Sequence, residues 1–94
     1  MEKVIARYRG QGKLILENNE AATVKYSFEE FQEFDGEVPT LRDRRGRVSH
    51  AAGHPDWHPM LSLHPLTLVL TDGRKLKVIL RNLQGDFQGT GDFF

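Results

Sequence analysis

The chain is 94 residues long, a length that fits one domain with a hydrophobic core that needs no disulfide or metal to hold it. Its 13 basic and 13 acidic residues cancel, so neither nucleic acid nor anionic lipid is expected to attract the molecule as a whole. It has no cysteine and no apolar run as long as a signal peptide or a membrane span. We therefore expect a single cytoplasmic domain over residues 1–94, without thiol chemistry or a membrane partner.

The first third of the chain alternates apolar and polar residues in short runs, as half-buried strands do. Lys3–Arg9 predicts a strand, Gly10–Gly12 a flexible turn and Lys13–Glu17 a second strand, so together they predict a hairpin. Another turn is expected at residues 18–20, which are Asn, Asn and Glu. Ala22–Phe28 then predicts a third strand with one apolar face.

The segment SFEEFQEFDG, residues 27–36, is compatible with two structures. Phenylalanine at every third position, with capping-box spacing at the start, is typical of a short helix near residues 28–34. The absence of any breaker after the preceding strand favours its continuation, with a bulge at Glu29-Glu30 that restores the alternation at Phe31. We favour the strand and keep the helix as the alternative.

The middle of the chain has few apolar residues. Gly36–Arg45 predicts a polar connection, and Gly46–Ala51 predicts a short strand near an edge of the sheet. Gly53–Pro59 predicts a loop, and Met60–Leu63 predicts the start of the strand that follows.

The clearest pattern is a pair of alternating apolar runs on either side of Asp72-Gly73. A two-residue turn there would place leucines beside lysines on one face of the hairpin. A three-residue loop, in which a type I turn is followed by a left-handed Gly73, pairs Leu68 with Leu76 and makes one face apolar. A slip of one residue would turn that face to water, so the core selects this register.

A last strand is predicted in the tail GDFQGTGDFF, where glycines alternate with apolar positions. Six or seven antiparallel strands in a chain of this length must close or form two layers to cover their apolar faces. The sequence therefore predicts an all-β fold, a small antiparallel β-barrel or barrel-like sandwich. The predicted core residues are Val4, Ala6, Tyr8, Leu14, Leu16, Val24, Tyr26, Phe28, Leu66, Leu68, Leu70, Leu76, Val78, Leu80 and Phe87.

All four histidines of the chain lie within one short segment, SHAAGHPDWHPMLSLHP. A zinc or nickel site formed by His50, His54, His58 and Asp56 is one hypothesis, because imidazole and carboxylate are suitable ligands. Most of these histidines precede a proline, which favours an extended backbone. Four extended residues separate Cα atoms by about 12 Å, so such side chains do not converge without a sharp reversal. We favour a structured loop and no cofactor.

The same loop contains the only tryptophan. Trp57, with His54 and His58 beside it, is a candidate anchor for a protein partner, because tryptophan is enriched in interface hot spots. The alternative, which we favour, is that the indole folds back and caps an open end of the barrel.

Arginine is concentrated in LRDRRGR, which includes Arg42, Arg44, Arg45 and Arg47. One guanidinium group can donate two parallel hydrogen bonds to the oxygens of one phosphate, so this segment is a candidate site for an anion or a nucleotide. Residues 27–37 carry five carboxylates and no basic residue, so the two segments are also expected to pair as neighbouring strands. We favour this pairing.

The sequence contains no glycine-rich phosphate loop, no Gly-x-Ser-x-Gly elbow and no His-Glu-x-x-His motif, so we predict no catalytic residues. The leading hypothesis is a small non-catalytic binding module that contacts a protein partner, or a second copy of itself, through the loop with Trp57. The alternatives are a metal-binding protein or metalloenzyme that uses the histidine loop, and a binder of a small anionic ligand that uses the arginines.

Overall fold

A computed structural model of the chain describes residues 1–16, 21–51, 65–82 and 84–94. These residues form six strands: β1 (Glu2–Ile15), β2 (Ala21–Asp35), β3 (Val38–His50), β4 (Leu66–Val69), β5 (Lys75–Leu80) and β6 (Asp86–Thr90). They form one closed antiparallel barrel in the order β1-β2-β3-β6-β5-β4, which confirms the predicted fold class. The described residues include no helix with the length and apolar character needed to cross a bilayer.

The hairpin of β4 and β5 has the predicted register. Leu68 pairs with Leu76, and the amide of Leu70 donates to the carbonyl of Arg74 at 2.8 Å. Gly73 has a φ of +90°, a conformation that a residue with a Cβ adopts only at a cost. The three-residue loop is therefore confirmed, and every apolar side chain of the predicted inner face is buried.

β1 is one continuous strand, so the turn predicted at Gly10–Gly12 and the hairpin built on it are wrong. These glycines allow neighbouring groups to approach closely. A Cβ on Gly12 would collide with the carbonyl oxygen of Val69, and one on Gly10 would lie 2.7 Å from the hydroxyl of Tyr26. Glycine at these positions therefore allows close packing between β1 and its neighbours, and the chain does not reverse there.

β2 runs without interruption through residues 28–34, which confirms the strand over the helix. The bulge predicted at Glu29-Glu30 is wrong, because Phe28, Glu30 and Gln32 are buried at regular alternate positions. The irregularities lie in the neighbouring strands, between Val4 and Ala6 of β1 and within residues 39–42 of β3. The alternation therefore places a glutamate inside the protein.

β3 includes the segment predicted as a polar connection, and the actual link from β2 is a turn at Gly36-Glu37. The segment predicted near a sheet edge also lies within β3, which pairs with β2 on one side and β6 on the other. The predicted connection is wrong because a strand with few apolar residues is stabilised here by charged neighbours. The strand predicted over Gly46–Ala51 is confirmed over residues 46–50, and only its place near a sheet edge is wrong. Arg44 and Arg45 lie opposite the acidic residues Glu30 and Glu29.

Apolar side chains fill the barrel interior. Val48, buried completely, is the only core residue in the described part of the chain that the prediction lacks, whereas Val4 was expected inside and is 40% exposed. Ala6, Tyr8 and Leu16 are partly buried at its margin. The buried core consists of Leu14, Val24, Tyr26, Phe28, Val48, Leu66, Leu68, Leu70, Leu76, Val78, Leu80 and Phe87.

The predicted tail strand is present as β6, and the residues after it fold against the core. Phe94 exchanges two backbone hydrogen bonds with Lys75, at 2.9 and 3.1 Å. The ring of Phe93 lies 5.4 Å from that of Tyr8 and 6.3 Å from that of Phe28, measured between centroids. The C-terminal residues therefore extend the aromatic part of the core.

The strands differ greatly in length, from 13 to 15 residues in β1–β3 to between 4 and 6 in β4–β6. β1 pairs with β4 only at 13–15, and β3 pairs with β6 only at 45–47. The rest of the long strands forms a three-stranded extension whose edges have no partner among the described strands. We call residues 1–7 and 29–44 the arm, and the other described residues the barrel body.

Candidate functional site

The inward-facing side chains change from apolar to charged where the barrel body meets the arm. Glu30 and Arg44 are only 4% and 6% exposed, and Nε of Arg44 donates to Oε2 of Glu30 at 2.7 Å. Nη1 of Arg44 donates to the carbonyl oxygen of Gly91 at 2.8 Å, and its guanidinium lies 4.6 Å from the ring centre of Phe93. This buried pair is satisfied within the protein and holds the tail against the arm.

Arg42 extends the same layer. Its Nε donates to Oε1 of Gln32 at 3.0 Å, and its Nη1 lies 3.5 Å from Oε1 of Glu30. Gln32 in turn donates to the carbonyl oxygen of Leu41 at 3.2 Å. Buried polar groups stabilise a fold only when they are paired, and this layer meets that condition through side chains of β2 and β3.

The other two arginines of the predicted anion site face outward. Nε of Arg45 lies 2.9 Å from Oδ2 of Asp43, and its guanidinium lies 4.1 Å from the ring centre of Phe31. Arg45 also pairs with Glu2 across the arm. Arg47 donates from Nε to Oδ1 of Asp86 at 2.7 Å.

The structure therefore does not bring Arg42, Arg44, Arg45 and Arg47 together as one site. Strand alternation places Arg42 and Arg44 on one face of β3 and Arg45 and Arg47 on the other, and of these four only Arg44 is buried. The pairing of the acidic and basic segments as neighbouring strands is confirmed, and three of the four guanidiniums are already held by carboxylates of the arm. Arg45 lines a cavity of about 540 Å³ whose lining also includes the carboxylate of Glu29. Arg47 lies in a setting that has room for a ligand and no carboxylate in its described lining.

That setting is a shallow groove of about 480 Å³ on the outer face of β1, β2 and β3. The strand register places Arg9, Ser27 and Arg47 in one row across the sheet and Gln11, Lys25 and Ser49 in the next. Adjacent strands are about 4.8 Å apart, so the polar ends of these side chains can reach one small ligand. We call this the basic groove; it is lined by Arg9, Gly10, Gln11, Lys25, Tyr26, Ser27, Arg47 and Ser49.

The cations of the groove differ in their partners. Arg9 and Lys25 form no ion pair with any described carboxylate, and both are exposed. Arg47 is held through Nε by Asp86, and this hydrogen bond raises the pKa of Arg47 and, together with one from Asn82, lowers the pKa of Asp86. Among the described residues the groove therefore has three positive charges, with Asp86 next to Arg47 at its rim and Glu29 in the adjoining cavity that Arg9 and Ser27 also line.

Sequence reasoning missed Arg9, Lys25, Ser27 and Ser49. Each of them lies at an outward position of a strand, which alternation alone indicates. What the sequence did not supply was the continuity of β1 through Gly10 and the register of three strands, which bring distant positions into one row. The sequence shows these residues as isolated polar positions and does not show which of them are neighbours on adjacent strands.

Most of the histidine and tryptophan predictions lie outside the described residues. This holds for His54, Asp56, Trp57 and His58, and for the loop and strand start predicted over residues 53–63. His50 is described, ends β3 and lies opposite Val24 of β2. Within the described ranges no three His, Asp or Glu side chains are grouped so as to hold a metal ion. The metal site and the Trp57 contact surface stay predictions.

Comparison of the chain with protein-family models, with curated proteins and with solved structures finds no match.

Proposed function

We propose that the protein is a non-catalytic binding module for a small anionic ligand that carries a phosphate group, and that the basic groove is its site. The observation that supports this is the row of Arg9, Ser27 and Arg47 next to Lys25, in which cations from three strands surround one groove. Two of these cations have no carboxylate partner among the described residues. An anion would supply the missing negative charge.

Phosphate chemistry fits the donors present. The guanidinium groups of Arg9 and Arg47 offer paired N–H donors to phosphate oxygens, and the ammonium of Lys25 acts as a point charge. The hydroxyls of Ser27 and Ser49 are exposed between these cations and can donate to further oxygens. The described lining includes no carboxylate or imidazole that would act as a general base, so the groove is suited to binding and not to turnover.

The apolar part of the groove indicates the kind of molecule that would carry the phosphate. Long cationic side chains expose their methylene stems beneath the charged ends, and here three such stems lie around one concavity. An organic group next to the phosphate would cover them. A small organic phosphate such as a nucleotide therefore fits the groove better than a bare inorganic ion.

Titration of amide resonances with inorganic phosphate, and separately with a nucleoside monophosphate, tests the proposal. We expect saturating shifts at residues 9–11, 25–27 and 47–49, with sodium chloride of matched ionic strength giving none. Replacement Arg9→Gln or Lys25→Gln should weaken binding about tenfold, because each removes a charge-assisted hydrogen bond.

Arg81→Gln is the matched control, since Arg81 is an exposed cation outside the groove. It should leave the affinity unchanged within about twofold, because rim charges far from a ligand are screened. Shifts that stay linear with phosphate concentration, or an equal loss in Arg81→Gln, would contradict the proposal. Tighter binding of the nucleotide than of inorganic phosphate would assign the additional affinity to the apolar stems.

A further inference from the structure

The arm exposes apolar side chains that the barrel body does not. Six large hydrophobic residues are exposed in the described part of the chain, and five of them lie in the arm. Leu41 is 75% exposed and Val38 is 62% exposed, while Val4 and Ile5 are 40% and 44% exposed. Exposed apolar side chains concentrated in one region mark a contact surface more often than single residues scattered over the molecule do.

Charge is also divided between the two regions. The arm carries seven carboxylates and four cationic side chains, which gives a formal side-chain charge of −3. The described part of the barrel body carries nine cationic side chains and three carboxylates, which gives +6. Two arms would repel each other, whereas the arm of one molecule and the barrel body of another attract.

The outer face of β2, together with the turn at Gly36-Glu37 that follows it, has the order of charges that a reciprocal contact between two copies requires. Lys25 and Ser27 lie in the basic groove, Asp35 and Glu37 lie at the end of the arm, and Phe31 lies midway between them. When two such faces pack antiparallel about a two-fold axis near Phe31, each acidic arm end lies over the basic groove of the other copy. Closed two-fold dimers of this kind use one patch twice.

We infer that a second copy of this chain is the partner of the arm, in a two-fold dimer in which the arm end of each copy occupies the basic groove of the other. The inference rests on the proposed function, because the carboxylates of Asp35 and Glu37 take the place of the phosphate in the groove. Val4, which pairs with Phe31 across β1 and β2 and is 40% exposed, lies at the centre of the contact and supplies its apolar part, and the guanidinium of Arg45 covers the ring of Phe31 beside it. The dimer and the anion therefore compete for one site.

The test is the molar mass in solution by light scattering, over micromolar to near-millimolar protein. A dimer is expected at an ionic strength of about 0.01 M, weakening more than tenfold at about 0.15 M, because the Debye length falls from about 30 Å to about 8 Å. Phosphate should dissociate it further than sodium chloride of the same ionic strength. The double variant Asp35→Asn, Glu37→Gln should be monomeric over the same range, while the control pair Asp72→Asn, Asp92→Asn, two exposed carboxylates in the barrel body, should dimerise as the native chain does.

The outcomes separate this inference from the proposed function. A monomer under all conditions, or a dimer that the arm variant leaves intact, overturns the inference, and phosphate binding in the same samples still supports the anion site. A dimer that is lost in both the arm variant and Lys25→Gln, without any phosphate binding, supports the inference and overturns the proposed function. A charge exchange, Lys25→Glu with Glu37→Lys, should recover the dimer that Lys25→Glu alone loses, because a two-fold axis near Phe31 places residue 25 of one copy opposite residue 37 of the other; failure to recover it overturns the inference.

Discussion

The barrel body and the arm share the same three long strands, yet they bury different kinds of side chains. In the barrel body the inward positions of β2 are Val24, Tyr26 and Phe28, and β4–β6 cover them. Past the point where those short strands end, the inward positions become Glu30 and Gln32, which are met by arginines of β3. A sheet that loses its apolar cover keeps its regular alternation when paired polar groups replace it.

The outer surfaces of the two regions also differ, in how far their charged side chains are paired. Most outward charges along the arm are paired locally, as in Arg7 with Glu29 at 2.8 Å and Asp43 with the adjoining Arg45 at 2.9 Å, whereas Asp35 and Glu37 at its end form no ion pair with a described residue. The barrel body leaves cations without a carboxylate partner, among them Arg9 and Lys25 within the described residues. Charge that is paired locally favours strand pairing, whereas unpaired charge is available to a ligand, so the two regions are expected to respond differently to the same kind of substitution.

Phe28→Ala should have the largest effect. Phe28 is 1% exposed, and its ring lies between those of Tyr8 and Phe87, at centroid distances of 4.7 and 5.7 Å. We expect a loss of about 4 kcal/mol in the free energy of unfolding, from lost transfer energy and from the cavity left behind. Denaturant unfolding of dilute protein measures it.

Leu41→Ala in the arm is the matched control, because Leu41 is apolar, lies in a strand and is 75% exposed. Its loss should be below about 0.5 kcal/mol. Equal losses at the two positions would show that the arm is as tightly packed as the barrel body, and the distinction between the regions would fail.

Glu30→Ala should cost about 3 kcal/mol, because it leaves the guanidinium of Arg44 buried without its carboxylate. Glu29→Ala, at the next position but on the exposed Arg7 pair, should cost less than about 1 kcal/mol. Replacing both members of the buried pair, Glu30→Leu with Arg44→Leu, should recover most of the loss, since burying an apolar pair needs no charge compensation. A double variant as unstable as Glu30→Ala would mean that Arg44 acts mainly through Gly91 and Phe93.

The limits of sequence reasoning follow the same division between regions. Alternation located the core of the barrel body almost completely, including the register at Gly73, because apolar burial depends on each strand's own pattern. It failed in the arm, where Glu30 is inside only because Arg44 is opposite. The basic groove was not predicted for a related reason, because each row of its side chains takes one residue from each of β1, β2 and β3. Which residues pair between strands depends on the whole fold and cannot be predicted from the sequence of one segment.

The smallest stability effect is expected at Asp86. Hydrogen bonds from Arg47 and Asn82 lower the pKa of Asp86 in the folded protein. A carboxyl with a depressed folded pKa contributes stability above its unfolded pKa and loses it as the pH falls through the folded value. Asp86→Asn should therefore flatten the decline in the free energy of unfolding below about pH 4, measured by urea unfolding across that range. An unchanged slope would show that the ion pair with Arg47 has no part in folding.

The same substitution also tests the groove at neutral pH. Asp86 is the carboxylate that holds Nε of Arg47, and it competes with any anion for that guanidinium. Asp86→Asn removes one negative charge from the rim of the groove, so phosphate should bind a few times more tightly, in contrast to the weakening expected for Lys25→Gln. Asp72→Asn serves as the control, because Asp72 is an exposed carboxylate paired with Arg74 in the β4–β5 loop. If both aspartate variants strengthen phosphate binding equally, the effect comes from overall charge, and Arg47 is not part of the anion site.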